Sequence, residues 1–409
     1  MISTGNNLLE NIDERIHLAK REARELFKEV EFVRNKTQDS NLLSLSHRIS
    51  NIPRNYTKLH LYNTLKGHRN KIAKIRWHMD STRLLSASQD GFMIIWDAVS
   101  GLKKQAVNLE NQWVLTCDYS PSGRLVASAG LDNACTIYKV KSDSSGIIND
   151  QNAYEMYGNI QQSVQSIFKG HRAYVSDCKF VNDASILTSS GDLTCALWDI
   201  TKGKKARDFI DHISDVLCLS EFPTYIKTDS PLFLSGSSDG YVKAWDVRTQ
   251  SPTQSFFISN SDVNCTKVFA DGYSFIVGSD DGMLRWFDLR SDCDIAVYSL
   301  QSQFHNSDSS SKTYRNDYSP TDQVSSNSLS ASSTLDSPGV LSVDFSRSGR
   351  LIYACYSEFG CLIWDSLKNE IIGSVGNEHL NKINQVAVSP DGIGLATASW
   401  DATIKVWAA

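Results

Sequence analysis

Three histidine–carboxylate pairs stand out along the chain: His68 with Asp90, His171 with Asp192, and His212 with Asp239. An imidazole oriented by a carboxylate is what general-base catalysis uses, and His with Asp is also a metal-ligand combination. Each acid, however, is followed six residues later by an aromatic, at Trp96, Trp198 and Trp245, and the whole arrangement recurs. An active centre needs one such constellation, whereas a unit repeated along the chain points to a role inside a repeated element. No phosphate-cradling glycine loop or clustered ligand set accompanies the pairs, and no nucleophile elbow is expected. The sequence therefore reads as non-enzymatic, with no catalytic residue, no metal and no cofactor.

The elements that position these pairs follow from the spacing. Seven acidic residues precede an aromatic by six positions: Asp90/Trp96, Asp132/Tyr138, Asp192/Trp198, Asp239/Trp245, Asp281/Phe287, Glu358/Trp364 and Asp401/Trp407. The aromatics step by 42, 60, 47, 42, 77 and 43 residues. A period near 42 is that of a Trp-Asp repeat, with four strands to a propeller blade. In the first repeat Leu84–Ser88 alternates into a turn at Gln89, Asp90 and Gly91, and Phe92–Trp96 leaves it as a second strand. Such a ring must pair every strand edge, because open edges aggregate. The last repeat ends at Trp407 with only Ala408 and Ala409 beyond it, so the stretch 58–65 is expected to supply its outermost strand. The fold class is all-β: a seven-bladed propeller over 58–409, joined by a linker, 41–57, to an N-terminal coiled-coil helix in 1–40.

That helix is legible as a seam. Leu9, Ile12, Ile16, Ala19, Ala23, Leu26, Val30 and Val33 step by alternating threes and fours, with charged residues between them. This is an a/d heptad pattern, and a helix of about 28 residues spans roughly 40 Å. Its apolar stripe calls for a partner helix, in preference to self-association or packing on the side of the ring.

Two steps are too long. The 60-residue step places a polar surface loop at 142–166. The 77-residue step places its surplus at 301–338, where Ser and Thr fill sixteen of 38 positions. Such composition buries too little apolar surface to repay ordering, and disorder is expected. Ser319 and Ser337, each followed by Pro, are the phosphorylation candidates in a regulatory segment; the alternative is an inert insertion.

Composition excludes other classes. With 41 basic and 46 acidic residues and a net charge of −5, there is no basic stripe for nucleic acid. Nine scattered cysteines without a Cys-x-x-Cys pair read as buried thiols of a reducing compartment. No apolar run is long enough to cross a bilayer.

A heptad helix followed by seven Trp-Asp repeats resembles the G-protein β subunit. The strings that carry the likeness are Leu84-Leu85-Ser86-Ala87-Ser88-Gln89-Asp90-Gly91, Ile94-Ile95-Trp96-Asp97, Gly130-Leu131-Asp132-Asn133, Thr188-Ser189-Ser190-Gly191-Asp192, Thr194-Cys195-Ala196-Leu197-Trp198-Asp199 and Gly278-Ser279-Asp280-Asp281. The Ser/Thr-rich insertion is similar to that of the fungal pheromone-pathway type. The resemblance implies that the turn Asp, loop His, a strand Ser or Thr and the Trp form a hydrogen-bonded stack pinning each blade. It implies an obligate γ subunit on the N-terminal helix, a GDP-bound α subunit on one face of the ring, and effectors on the same face once α leaves. By the same likeness the protein works at the cytoplasmic face of the plasma membrane and in the cytoplasm, held peripherally through its partners' lipids. The implied α and effector contacts are Lys71, Ile94, Lys103, Trp113, Leu115, Leu131, Asn133, Tyr174, Asp215, Leu217, Asp262, Asp280 and Trp400. Ala73, Phe92 and Ser238 depart from the usual animal pattern of Tyr, Lys and Cys. The alternative function is a Trp-Asp-repeat scaffold of another complex.

Overall fold

A computed structural model describes residues 16, 18–30, 32, 52, 59–140, 164–222, 232–291, 293–300 and 338–408. The chain divides into an N-terminal unit, Met1–Ile52, and a larger one, Pro53–Ala409. In the first, residues 18–30 are helical, and the seam members Ile16, Ala19, Ala23, Leu26 and Val30 are all exposed. Leu9, Ile12 and Val33 lie outside the described residues, as do Ser319, Ser337, all of 301–338 except Pro338, and the linker 41–57 except Ile52.

The second unit is built of seven four-stranded antiparallel sheets, each a blade. Six blades run straight through the sequence; blade one, for example, comprises Ile72–Trp77, Arg83–Ser88, Phe92–Asp97 and Lys103–Asn108. The seventh is composite: His60–Lys66 pairs with Thr403–Ala408, which continues to Gly394–Ser399 and Ile383–Val388. The strand just ahead of the first repeat thus closes the ring, as expected of 58–65. The loop expected at 142–166 ends earlier, because Val164–Lys169 is the outer strand of blade two and pairs with Ala134–Lys139. Its polar sequence hides it, since an outer strand buries only alternate residues, here Phe168.

Core packing lies between blades. Phe209 of blade three meets Phe233 and Trp245 of blade four at 5.0 and 5.5 Å between ring centroids. Among the described residues, four blades carry the complete pinning stack. In blade four, His212 Nδ1 lies 2.8 Å from Asp239 Oδ2 and its Nε2 2.7 Å from Ser235 Oγ, while Trp245 Nε1 donates to the same hydroxyl at 2.8 Å. Blades one and three repeat this with His68, Asp90, Ser86 and Trp96, and with His171, Asp192, Thr188 and Trp198. Blade seven adds a fourth through His379, Asp401, Thr397 and Trp407, beyond the three pairs read from the sequence. Burial alone would raise the Asp239 carboxyl. The imidazole of His212 and the N–H groups of Ile213 and Tyr241 overcome this and hold it at about 2. Where the histidine is missing, other groups substitute: in blade five Arg285 binds Asp281 at 2.8 Å and Ser279 at 3.0 Å.

The innermost strands surround a cavity of about 430 Å³ whose lining is charged. Arg76 of blade one reaches Asp118 of blade two at 2.7 Å and Glu221 of blade four at 2.8 Å. Lys74 reaches Asp177 of blade three at 3.4 Å, and Lys267 of blade five reaches Asp344 of blade six at 3.0 Å. Blade seven is tied to blade one by Asn384 Nδ2 donating to the Ala73 carbonyl at 2.7 Å and Ile75 N–H donating to Gln385 Oε1 at 2.6 Å.

Candidate functional site

One end of the ring collects two sets of connections: the loops that lead into each innermost strand and the turns between the two middle strands. A single backbone bond joins them in every blade. The first turn residue donates its N–H to the carbonyl just before the inner strand: Gln89 to Lys71 at 3.0 Å, Leu131 to Trp113 at 3.1 Å, Gly191 to Tyr174 at 3.0 Å, Ser238 to Asp215 at 2.9 Å, Asp280 to Asp262 at 2.9 Å, Ser357 to Gly339 at 3.0 Å and Trp400 to Lys382 at 3.0 Å. The scaffold at these positions is constant while the side chains range over Lys, Trp, Tyr, Asp and Leu. Rigid connections with varied tips are how a repeat ring presents a recognition surface.

Most of the sequence-derived contact residues fall on this end. Trp113 and Leu131 are 58% and 52% exposed and belong to the same blade-two junction. The Trp113 N–H is held by Asn111 Oδ1 at 2.9 Å, which fixes the backbone beneath the indole. Lys103, Asp262 and Asp280 are exposed; Lys71, Leu115, Asn133, Tyr174, Asp215, Leu217 and Trp400 are half-buried. Asn133 has φ +59°, a left-handed conformation that Asn tolerates better than most residues. Ile94 is the exception. It is 4% exposed and packs in the core cluster with Leu65, Ile72 and Trp96, so it supports the face from inside and does not lie on it.

The face is polarised. On the side of blades seven and one, Lys71 Nζ sits 3.7 Å and Lys382 Nζ 5.1 Å from the centroid of the Trp400 ring, each attracted by its π face. On the side of blades three to five, Tyr174 donates its hydroxyl to Asp215 at 2.8 Å, and burial with that bond pushes the phenol up to about 12. Burial and the nearby charges of Asp280 and Asp215 raise the Asp262 carboxyl. Lys382 was missed by sequence reasoning; its signal was its register with Lys71, each being the last residue before an inner strand.

The string Gly236-Ser237-Ser238-Asp239-Gly240 matches the form of a nucleophile elbow, Gly-x-Ser-x-Gly, which the sequence reading did not expect. Its setting is different. It joins two strands of a hairpin, not a strand to a helix, and Ser238 Oγ is bonded to Ser214 Oγ at 2.7 Å. The imidazole in that blade is engaged by Asp239 and Ser235 and not by Ser238. Among the described residues no group of three or more His, Cys, Asp or Glu is placed to hold a metal ion.

Residues 14–331 match the family described as "G protein beta WD-40 repeat protein", and residues 372–408 match "WD domain, G-beta repeat". The chain belongs to the G-protein β-subunit family. It is similar to the guanine nucleotide-binding protein subunit beta of Saccharomyces cerevisiae, 44% identical over 403 residues, covering 97% of this chain and 91% of that protein. The proteins of the same name from Oryza sativa subsp. japonica and Solanum tuberosum are 37% and 38% identical, covering 87% and 84% of this chain and 84% and 82% of their own lengths. Among the described residues no helix is long and apolar enough to cross a membrane.

Proposed function

We propose that this chain is the β subunit of a heterotrimeric G protein that transmits a receptor signal by being masked and unmasked, with no bond made or broken by the chain itself. It pairs with a γ subunit through its N-terminal helix and binds the GDP-bound α subunit on the polarised end of the ring. After α exchanges GDP for GTP and leaves, the same end engages effectors. The observation that carries the reading is the junction surface. Large apolar tips at Trp113 and Leu131 stand between a basic, Trp400-centred flank and an acidic flank on otherwise equivalent scaffold positions, which is the anatomy of a protein interface with anchors and a charged rim. The Ser/Thr-rich insertion, with its fungal-type likeness, favours a pheromone-type response regulated by phosphate at Ser319 or Ser337. Membrane attachment is peripheral and comes through partner lipids.

The γ pairing rests on exposed apolar side chains at Ile16, Leu26 and Val30, which are 43%, 61% and 64% exposed. The alanines at Ala19 and Ala23 thin the middle of the seam, so a partner helix with larger residues there packs better than a second copy. Leu26→Asp places a carboxylate in the seam, where its desolvation has no compensating partner. Co-expressed with its γ chain and purified through a tag on β, the variant is expected to lose most of the co-purifying γ. Full retention contradicts the coiled-coil assignment.

A further inference from the structure

Beyond the contact set assigned to the α subunit, the outer rim of blade four carries an apolar patch that its sister blades lack. The Asp239 carboxylate accepts from the Ile213 N–H at 3.1 Å and from the Tyr241 N–H at 2.9 Å, which fixes those two residues side by side. Tyr241 is paired across the sheet with Phe257, and their rings lie 5.3 Å apart. All three side chains are open to solvent, at 82%, 37% and 53%.

The repeat supplies an internal control. The same three positions, fixed by the same bonds, hold Arg69, Phe92 and Asn108 in blade one. They hold Arg172, Thr194 and Ile210 in blade three, and Leu380, Thr403 and Lys66 in blade seven. Scattered exposed apolar residues are ordinary on any protein; a ring pair with an exposed isoleucine held beside it by a shared carboxylate, at positions that need no apolar side chain for folding, is not.

The charge beside the patch indicates what covers it. Asp215 follows Ile213 by two residues, within about 7 Å by backbone reach, and its carbonyl is bonded to the same turn through Ser238. Asp262, on the next blade, adds a second carboxylate close enough to repel the first. The remaining acid of the loop, Asp211, is already bound to Lys243. Asp215 accepts the neutral Tyr174 hydroxyl and, among the described residues, neither it nor Asp262 forms an ion pair, so the inner edge of the patch is acidic.

We propose that Ile213, Tyr241 and Phe257 form a docking patch for an amphipathic helix of a partner protein, its apolar stripe on the three side chains and its flanking Lys or Arg residues over Asp215 and Asp262. This rests on the ring end being an interaction surface, but not on α as its ligand. Ile213 and Phe257 lie outside the α contacts, so the patch and the α interface are separable by mutation.

The test uses the full-length chain purified with its γ subunit. The probe is a fluorescein-labelled Leu/Lys peptide of roughly 18 residues, long enough to hold a helix, with all its leucines on one face. A shuffled peptide of identical composition lacks that face. By anisotropy, the facially amphipathic peptide binds and the shuffled one does not. Ile213→Ser with Phe257→Ser weakens binding about tenfold, and Asp215→Asn about threefold with a shallower salt dependence. GDP-loaded α binds the Ser double variant as it binds the parent, and thermal melting verifies that the ring is intact. Equal binding of both peptides, or no change in the Ser double variant, overturns the proposal. So does sedimentation showing that the parent dimerises through the patch and the variant does not. Loss of α binding in the parent overturns the α assignment alone.

Discussion

Arg76→Leu is expected to destabilise the ring by about 3 kcal/mol, which for a unit of this size lowers Tm by roughly 4 °C. The arginine links blade one to blade two through Asp118 and reaches across the channel to blade four through Glu221, at 2.7 and 2.8 Å. Asp118 is 2% exposed and also accepts the Phe180 N–H of blade three at 2.8 Å. Removing the guanidinium leaves a buried carboxylate with one neutral donor, and the cost is that of the stranded charge more than of the lost contact. The companion variant separates these terms. Arg76→Leu with Asp118→Asn keeps an acceptor for Phe180 but removes the charge, and it recovers most of the lost Tm. Thermal melting of the three proteins side by side checks this; equal melting of Arg76→Leu and the parent means that Lys179, which lies 3.9 Å from Asp177, and its neighbours already neutralise the channel.

Trp113→Ala is expected to weaken binding of GDP-loaded α by about 2 kcal/mol, roughly thirtyfold, without moving Tm. The indole is 58% exposed, so truncating it leaves no cavity in the ring. Its backbone is held independently of the side chain by Asn111 and by the Leu131 N–H. Trp400→Ala has a different signature, because that ring is already covered by the ammonium groups of Lys71 and Lys382. Its loss releases two lysines as well as an apolar surface, so its effect on binding grows as salt is lowered, whereas that of Trp113→Ala does not. Calorimetric titration at two salt concentrations distinguishes the two.

The ring was legible because its signal is carried by covalent spacing. An acid six residues before an aromatic marks a hairpin whether or not the histidine is present, and that is why blades two, five and six were found without one. What the spacing hides is substitution inside a blade. Arg285 standing in for a histidine in blade five joins residues of one hairpin, so no loop residue announces it. His379 stands 22 residues before Asp401, the same separation as His68 from Asp90, so its stack was open to the same reading. The channel network was illegible, because Arg76, Asp118 and Glu221 are separated by 42 and 145 residues from Arg76 and meet only when the ring closes. At the recognition end, the likeness supplied positions but not exposure. Ile94 could not be told from its surface neighbours until its alternation with Met93 and Ile95, all three buried, placed it between blades one and seven.

The central claim is that this ring is a surface masked by α in one nucleotide state and free in the other. The most direct measurement is the affinity of the purified chain with its γ subunit for α loaded with GDP, compared with α loaded with a non-hydrolysable GTP analogue. Tight binding to the GDP form is expected, with a loss of at least about a hundredfold, on the order of 3 kcal/mol, for the GTP analogue. Equal affinity for the two forms, or binding to neither, contradicts it.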